Sequence, residues 1–245
     1  MPTVKKLLSD PSVSQDLPPI TAFASINYRL SAYPHLTCSK GRRTSSFGDA
    51  SRTAVHPAHI NDVLSAIFYL QTTYGFDSEY LLVGHSCGAT LALQSIMRGW
   101  EGAPQSVTKP CAVAGVEGIY DLVELSDSHK TVQLYAEFLK GAFGLDPQKW
   151  GLAAPTPFLR QPGNTLPQIW PEGKVLVLAH SREDELVEKE QTEALWDVVT
   201  SSEHRSDTRR DELLWIGGQH DQIWEEGEQM AVVVKRALEC LREMD

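Results

Sequence analysis

At 245 residues the chain can hold one large domain with a substantial core, and its 42% hydrophobic and 22% charged residues are ordinary for a globular protein, which excludes wholesale disorder. A formal charge of −10, with no longer basic run than Lys40, Arg42 and Arg43 to set against it, argues against a nucleic-acid or anionic-membrane surface. Four cysteines (Cys38, Cys87, Cys111, Cys240) without a C-x-x-C pair argue against a disulfide framework or zinc knuckle and point to a reducing compartment.

In chain order, MPTVKKLLSDPSVSQDLPP carries two lysines but neither the apolar stretch nor the cleavage site of a secretory signal. No run approaches the roughly 18 apolar residues of a membrane span, so the expectation is a soluble, cytoplasmic protein. Thr21–Tyr28 has strand character, and a polar, basic loop follows from Ser31 to about Val55. From His56 to Tyr74 the apolar positions Ile60, Val63, Leu64, Ile67, Phe68 and Leu70 make one helical face, with Gly75 as the stop.

Tyr80–Val83 reads as a short strand, Ala89–Arg98 as a helix and Ala112–Val116 as the next strand. Residues 120–170 read as helices and proline-rich turns, a cap-like excursion from the sheet. Then come a buried strand at Lys174–Ala179, a helix at Glu188–Val199, a strand at Glu212–Ile216 and a closing helix at Glu225–Met244. Continuously apolar strands alternating with helices predict a single α/β domain over 1–245, its mostly parallel sheet covered by helices on both faces. In such sheets chemistry belongs at the carboxyl ends of the strands.

The strand at Tyr80–Val83 runs into Gly84-His85-Ser86-Cys87-Gly88, a G-x-S-x-G between strand and helix. That elbow lifts a serine Oγ above the sheet at a helix amino end, and the glycines are expected to avoid clashes on both flanks. Ser86 is thus the candidate nucleophile, and the backbone N–H of Cys87 a candidate oxyanion donor. The Cys87 thiol should point away from where Ser86 acts, and His85 should face packing or substrate.

A serine nucleophile needs a base, and the base an orienting carboxylate, in the order Ser, Asp/Glu, His at later strand ends. Past KVLVLA stands His180-Ser181-Arg182-Glu183-Asp184-Glu185, where three acids compete. Past ELLWI stands Gly217-Gly218-Gln219-His220, which places His220 on a glycine loop in the required order. His180 is the alternative base, although it precedes the acids. His56, His59 and Asp62 could be offered as a metal set, but that spacing at a helix start favours capping and packing, with Asp62 paired to Arg29.

The phrases INYRLS (26–31), HPAHINDV (56–63), VGHSCGATL (83–91), GVEGIYDL (115–122), AHSREDELV (179–187) and GQHDQIWE (218–225) resemble kynurenine formamidase of the fungal type, an α/β-hydrolase arylformamidase of tryptophan catabolism. The resemblance runs from about residue 20 to the C-terminus. It implies the α/β-hydrolase fold, with Ser86 as nucleophile, Asp184 as the triad acid and His220 as the base. The implied reaction is hydrolysis of N-formyl-L-kynurenine to L-kynurenine and formate, with a small-molecule substrate as partner and no metal or organic cofactor. Tyr120 and aromatics of 130–170 are candidates for the substrate ring pocket, and a homodimer is compatible with the sequence. A carboxylesterase of the hormone-sensitive-lipase type and a catalytically inactive binding scaffold are the alternative readings.

One family element does not occur in these 245 residues: an H-G-G-x-W-type loop, whose N–H groups would complete the oxyanion hole. The loop and the strand before it belong upstream of NYRLS, so the expectation is a chain truncated at its N-terminal strands. It predicts an unfilled place between the NYRLS and YLLVG strands, about 9–10 Å wide, bordered by unpaired edges. Loss of one oxyanion donor typically costs about a hundred- to a thousandfold in rate.

Overall fold

Period-two alternation in two central strands organises the molecule. In the computed structural model, which describes residues 1–15, 17–32, 51–97, 99–104, 106–201 and 203–244, four strands form one sheet in sequence order, all parallel. They are β1 (Leu81–His85), β2 (Ala112–Val116), β3 (Val175–Ser181) and β4 (Arg210–Ile216). Ala112, Ala114, Val116, Val175, Val177 and Ala179 face one side, and Val113, Leu176 and Leu178 the other. With both faces covered, β2 and β3 are buried along their whole length.

The first face packs on α12 (Glu228–Met244), whose Met230, Val233, Ala237 and Cys240 recur at helical spacing. The second packs on α4 (Cys87–Gln94) and α10 (Lys189–Val199) through Ala89, Ala92, Leu93, Leu195, Val198 and Val199. At the N-terminus, α1 (Pro2–Ser9) and α2 (Pro11–Gln15) lie on α12, with Leu7 and Val13 against Ala231, Val234 and Leu238. Helix α3 (Ala58–Tyr74) stops at Gly75, whose φ of 67° is the left-handed cap expected there.

Between β2 and β3 the chain makes only helices: α5 (Leu122–Ser128), α6 (Gln133–Phe143), α7 (Pro147–Ala153), α8 (Pro155–Leu159) and α9 (Leu166–Ile169). Their apolar residues Leu125, Leu139 and Trp150 join a cluster that includes Val187 and, at its edge, Cys87. Helices α5 to α7 therefore gather beside the elbow at Cys87, while Phe158, Leu159, Leu166 and Ile169 of α8 and α9 join the cluster on the second face of the sheet.

Three expectations need correction. Residues 21–28 form no strand; Ile26 and Tyr28 pack beside Ile60, Val63 and Leu64 of α3, but the segment joins no ladder. Strand propensity needs a paired neighbour, and none of the described residues pairs with the outer edge of β1. The closing helix is two helices, because Gly227 (φ 73°) ends α11 (His220–Glu226) and lies where any Cβ would overlap the Pro2–Thr3 backbone. Helix α4 begins at Cys87, ahead of the expected start at Ala89. The basic loop with Cys38, Lys40, Arg42 and Arg43 lies outside the described residues.

Candidate active site

All four strands point their carboxyl ends the same way, so the residues just after them meet along one edge. After β1 stands Ser86, at φ 55° and ψ −124°, a region that non-glycine residues rarely occupy. Its N–H donates to Val116 O of β2 at 2.9 Å, and its carbonyl accepts from Ala89 N at 3.0 Å, so one residue ends the ladder and begins α4. Cys87 N–H is then one of the unpaired donors of the first helical turn. Gly84 is required sterically, because a Cβ there would overlap the Gly88 carbonyl. Gly88 is not, since a Cβ there meets nothing within 4 Å, contrary to the expectation of clashes on both flanks.

After β3, the three acids part company. Asp184 turns inward with its side chain fully buried, while Glu183 and Glu185 are exposed. Asp184 Oδ1 accepts the backbone N–H groups of Leu186 and Val187, both at 2.9 Å, and Oδ2 accepts from His220 Nδ1 at 2.8 Å. Burial would raise the Asp184 carboxyl, but these hydrogen bonds and the charge of His220 outweigh it and hold the group below its ordinary range. Glu185 is not idle, since its Oε2 accepts the His220 backbone N–H at 3.1 Å.

His220 is the first residue of α11 rather than a loop residue, and it is 4% exposed. The loop before it is anchored by Ser181 Oγ, which donates to Gly218 O at 2.6 Å. Burial disfavours the imidazolium, yet the hydrogen bond and charge of Asp184, with smaller contributions from Glu117 and Asp221, leave the His220 pKa raised. Because Nδ1 donates to Asp184, Nε2 is the nitrogen left to accept a proton.

His180, the alternative base, is fully enclosed: Nε2 donates to Val187 O at 3.0 Å and Nδ1 pairs with Thr192 Oγ1 at 2.8 Å. It backs the Asp184 loop from inside. Tyr120 must also be corrected as a ring-pocket residue. It is wholly buried in the core, and Gly115 and Gly118 make room for its ring and hydroxyl. Cys87 is half-buried at the edge of the helical cluster, and loss of water around its thiol pushes the thiol up against a smaller opposing hydrogen bond with Ser86, so it is a poor nucleophile.

His56 packs edge-on against Trp100 at 4.9 Å, whereas His59 Nε2 meets Ser31 Oγ at 2.8 Å. Asp62 takes Arg29 in a bidentate pair, its Oδ1 2.7 Å from Nη2 and its Oδ2 2.8 Å from Nε. Those three side chains are thus committed separately. The residue that sequence reasoning missed is Glu117, after β2 and between the nucleophile and base strands. It is wholly buried, at φ 49°, with Oε2 3.0 Å from His85 Nε2 and 3.6 Å from His220 Nδ1. The signal was available in GVEGIYD, an acid directly after an apolar strand. His85, Glu117 and His220 hold ligand-type atoms within 4.8 Å of one another. Hydrogen bonds occupy the two imidazoles there, His85 to Glu117 and His220 to Asp184.

No family model matches the chain. A kynurenine formamidase-like hydrolase of Fusarium equiseti is 33% identical over 225 residues, spanning 92% of this chain and 72% of that protein. A kynurenine formamidase of Aspergillus versicolor is 35% identical over 227 residues, spanning 85% of this chain and 72% of its own length. The chain belongs to the kynurenine formamidase family. A kynurenine formamidase of Meyerozyma guilliermondii adds a shorter match, 38% over 151 residues and 53% of its length.

Among solved structures, esterase B of Lactobacillus rhamnosis aligns with a TM-score of 0.58 at 18% identity, covering 78% of this chain and 63% of that one. A puromycin hydrolase aligns at 0.57 and 16%, covering 82% of this chain and 28% of its own. At such identities the likeness establishes the fold, which is that of the α/β-hydrolases. Among the described residues no helix is long and apolar enough to cross a membrane.

Proposed function

We propose that this family member is a serine hydrolase that cleaves the formamide of N-formyl-L-kynurenine, giving L-kynurenine and formate. The observation that carries the mechanism is the buried Asp184–His220 pair at 2.8 Å, on the same sheet edge as the strained Ser86 elbow. His220 Nε2 takes the Ser86 Oγ proton as Oγ attacks the formyl carbon. Charge developing on the carbonyl oxygen falls at the amino end of α4, where Cys87 N–H would donate to it.

The arylamine leaves with the proton returned by His220, and a formyl ester remains on Ser86. Water, deprotonated by the same imidazole, then releases formate and restores the hydroxyl. An arylamine leaves more readily than an alkylamine, so a plain serine triad is adequate and the chemistry requires no metal. The cytoplasmic assignment rests on cysteine usage, with Cys87, Cys111 and Cys240 all free thiols.

The deciding experiment is a substrate panel with the purified chain. N-formylkynurenine should be hydrolysed with higher kcat/KM than p-nitrophenyl acetate or butyrate. Good ester turnover with formylkynurenine ignored would hand the chain to the carboxylesterase reading.

A further inference from the structure

Glu117 has three features that packing alone does not require. A non-glycine residue at φ 49° carries backbone strain of order 1–3 kcal/mol. Its carboxylate is taken wholly out of water, and Oε1 has no hydrogen-bond partner among the described residues. Such burial costs free energy, and a smaller or apolar residue would avoid it. Yet the backbone is fastened there, Glu117 N–H donating to Ala179 O at 2.8 Å in continuation of the ladder.

What the strain accomplishes is a placement. Oε2 is held by His85 Nε2–H at 3.0 Å and stands 3.6 Å from His220 Nδ1. The His85 ring lies against the His220 ring, centroids 4.6 Å apart. At 3.6 Å Glu117 does not share the Nδ1 proton, which Asp184 takes at 2.8 Å. It acts on His220 as a charge. That charge matters most when His220 has received the serine proton and is an imidazolium in a site shielded from water.

We propose that Glu117 is a positioning residue for His220, a second carboxylate that works beside Asp184 and is itself held by His85. The proposal rests on the serine-triad reading but not on the identity of the substrate. Groups facing His220 come from every neighbouring element: His85 after β1, Glu117 after β2, Asp184 and Glu185 after β3, and Asp221 on its own helix. Of these, Asp184 and Glu117 are the carboxylates that stand at Nδ1.

The test follows the rate at which a fluorophosphonate labels the chain as a function of pH, which reports on base and nucleophile without any formylated substrate. Loss of labelling in Ser86→Ala establishes the triad reading separately; labelling that persists there removes the reading and this proposal with it. Glu117→Gln keeps size and the His85 contact but removes the charge. The midpoint of the acidic limb should then fall by about one unit, and the plateau rate by roughly tenfold. A midpoint unmoved in a folded Glu117→Gln chain overturns the proposal.

A second measurement takes Asp184 out of the comparison. The His220 ring followed by NMR should titrate lower in Asp184→Asn combined with Glu117→Gln than in Asp184→Asn alone, because the single variant keeps the Glu117 charge at Nδ1. Equal titration in the two folded variants overturns the proposal as well.

Discussion

The two ends of the catalytic edge differ in how they are held. Around β3 and β4 the groups are interlocked: Asp184 accepts three hydrogen bonds, Glu185 grips the His220 backbone, Ser181 pins the Gly218 loop, and His180 braces the acid from inside. Around β1 the serine is strained into place from one side, by β2 and α4. Along the other side of β1 no described strand pairs, and residues 17–32 pass without a ladder. The lesson is that acid and base are side-chain properties completed by adjacent loops, whereas an oxyanion hole is a backbone property and depends on which segment lies beside the strand.

The largest effect expected from this contrast is at Ser86. Ser86→Ala should lower formamide or ester hydrolysis by about 10³- to 10⁶-fold. It should also leave the Asp184–His220 pairing intact, visible as a low-field Nδ1 proton by NMR, because nothing on the β3–β4 side leans on the hydroxyl. An unaltered rate would remove Ser86 from the mechanism. A lost pairing would show instead that the two ends are coupled.

Next is the elbow itself, where the two glycines should behave differently. Gly84→Ala forces a Cβ into the Gly88 carbonyl, and overpacking of that kind should cost about 3 kcal/mol in denaturant unfolding. Gly88→Ala enters open space in the first turn of α4 and should leave stability unchanged or raise it by up to about 1 kcal/mol. Equal losses at both would mean that the α4 side is packed as tightly as the β1 side.

How much of this was legible in the chain depends on whether a feature was local. The strand Ala112–Val116 is where its apolar run put it, and β3 begins one residue from expectation, because burial of β2 and β3 on both faces is written as continuous hydrophobicity; β4, half-buried and opening on Arg210, Asp211 and Glu212, begins two residues earlier than its apolar part suggested. Asp184 could not be separated from Glu183 and Glu185 by composition; resemblance chose it. The geometry supplies the reason, since only Asp184 turns under the backbone of Leu186 and Val187. Thr21–Tyr28 misled because β-propensity describes a residue's fitness for a ladder and not the presence of one. Glu117 went unassigned because its role is three-dimensional, reaching a histidine from another strand end through a backbone turn that nothing in its neighbours requires.

The smallest effect belongs to the loosely held side, where Arg29 and Asp62 fasten the ladderless segment to α3. The pair is bidentate, but the arginine side chain is 64% exposed, so water and salt weaken it. Arg29→Ala should therefore lower Tm by only about 1–3 °C. Its sign with pH is definite. The hydrogen bond to Arg29 holds the Asp62 carboxyl below its ordinary value of 3.8, against a smaller opposing effect of burial. The contribution is thus fully present above that value and disappears as pH falls through the lowered one. The difference in Tm between the native chain and Arg29→Ala should be constant from pH 5 to 7, apart from neighbouring titrations, and shrink below pH 4. A much larger loss, or one accompanied by a fall in activity, would mean that residues 17–32 do for the β1 edge what a paired strand would do, and the two ends would then be less unequal than their hydrogen bonds suggest.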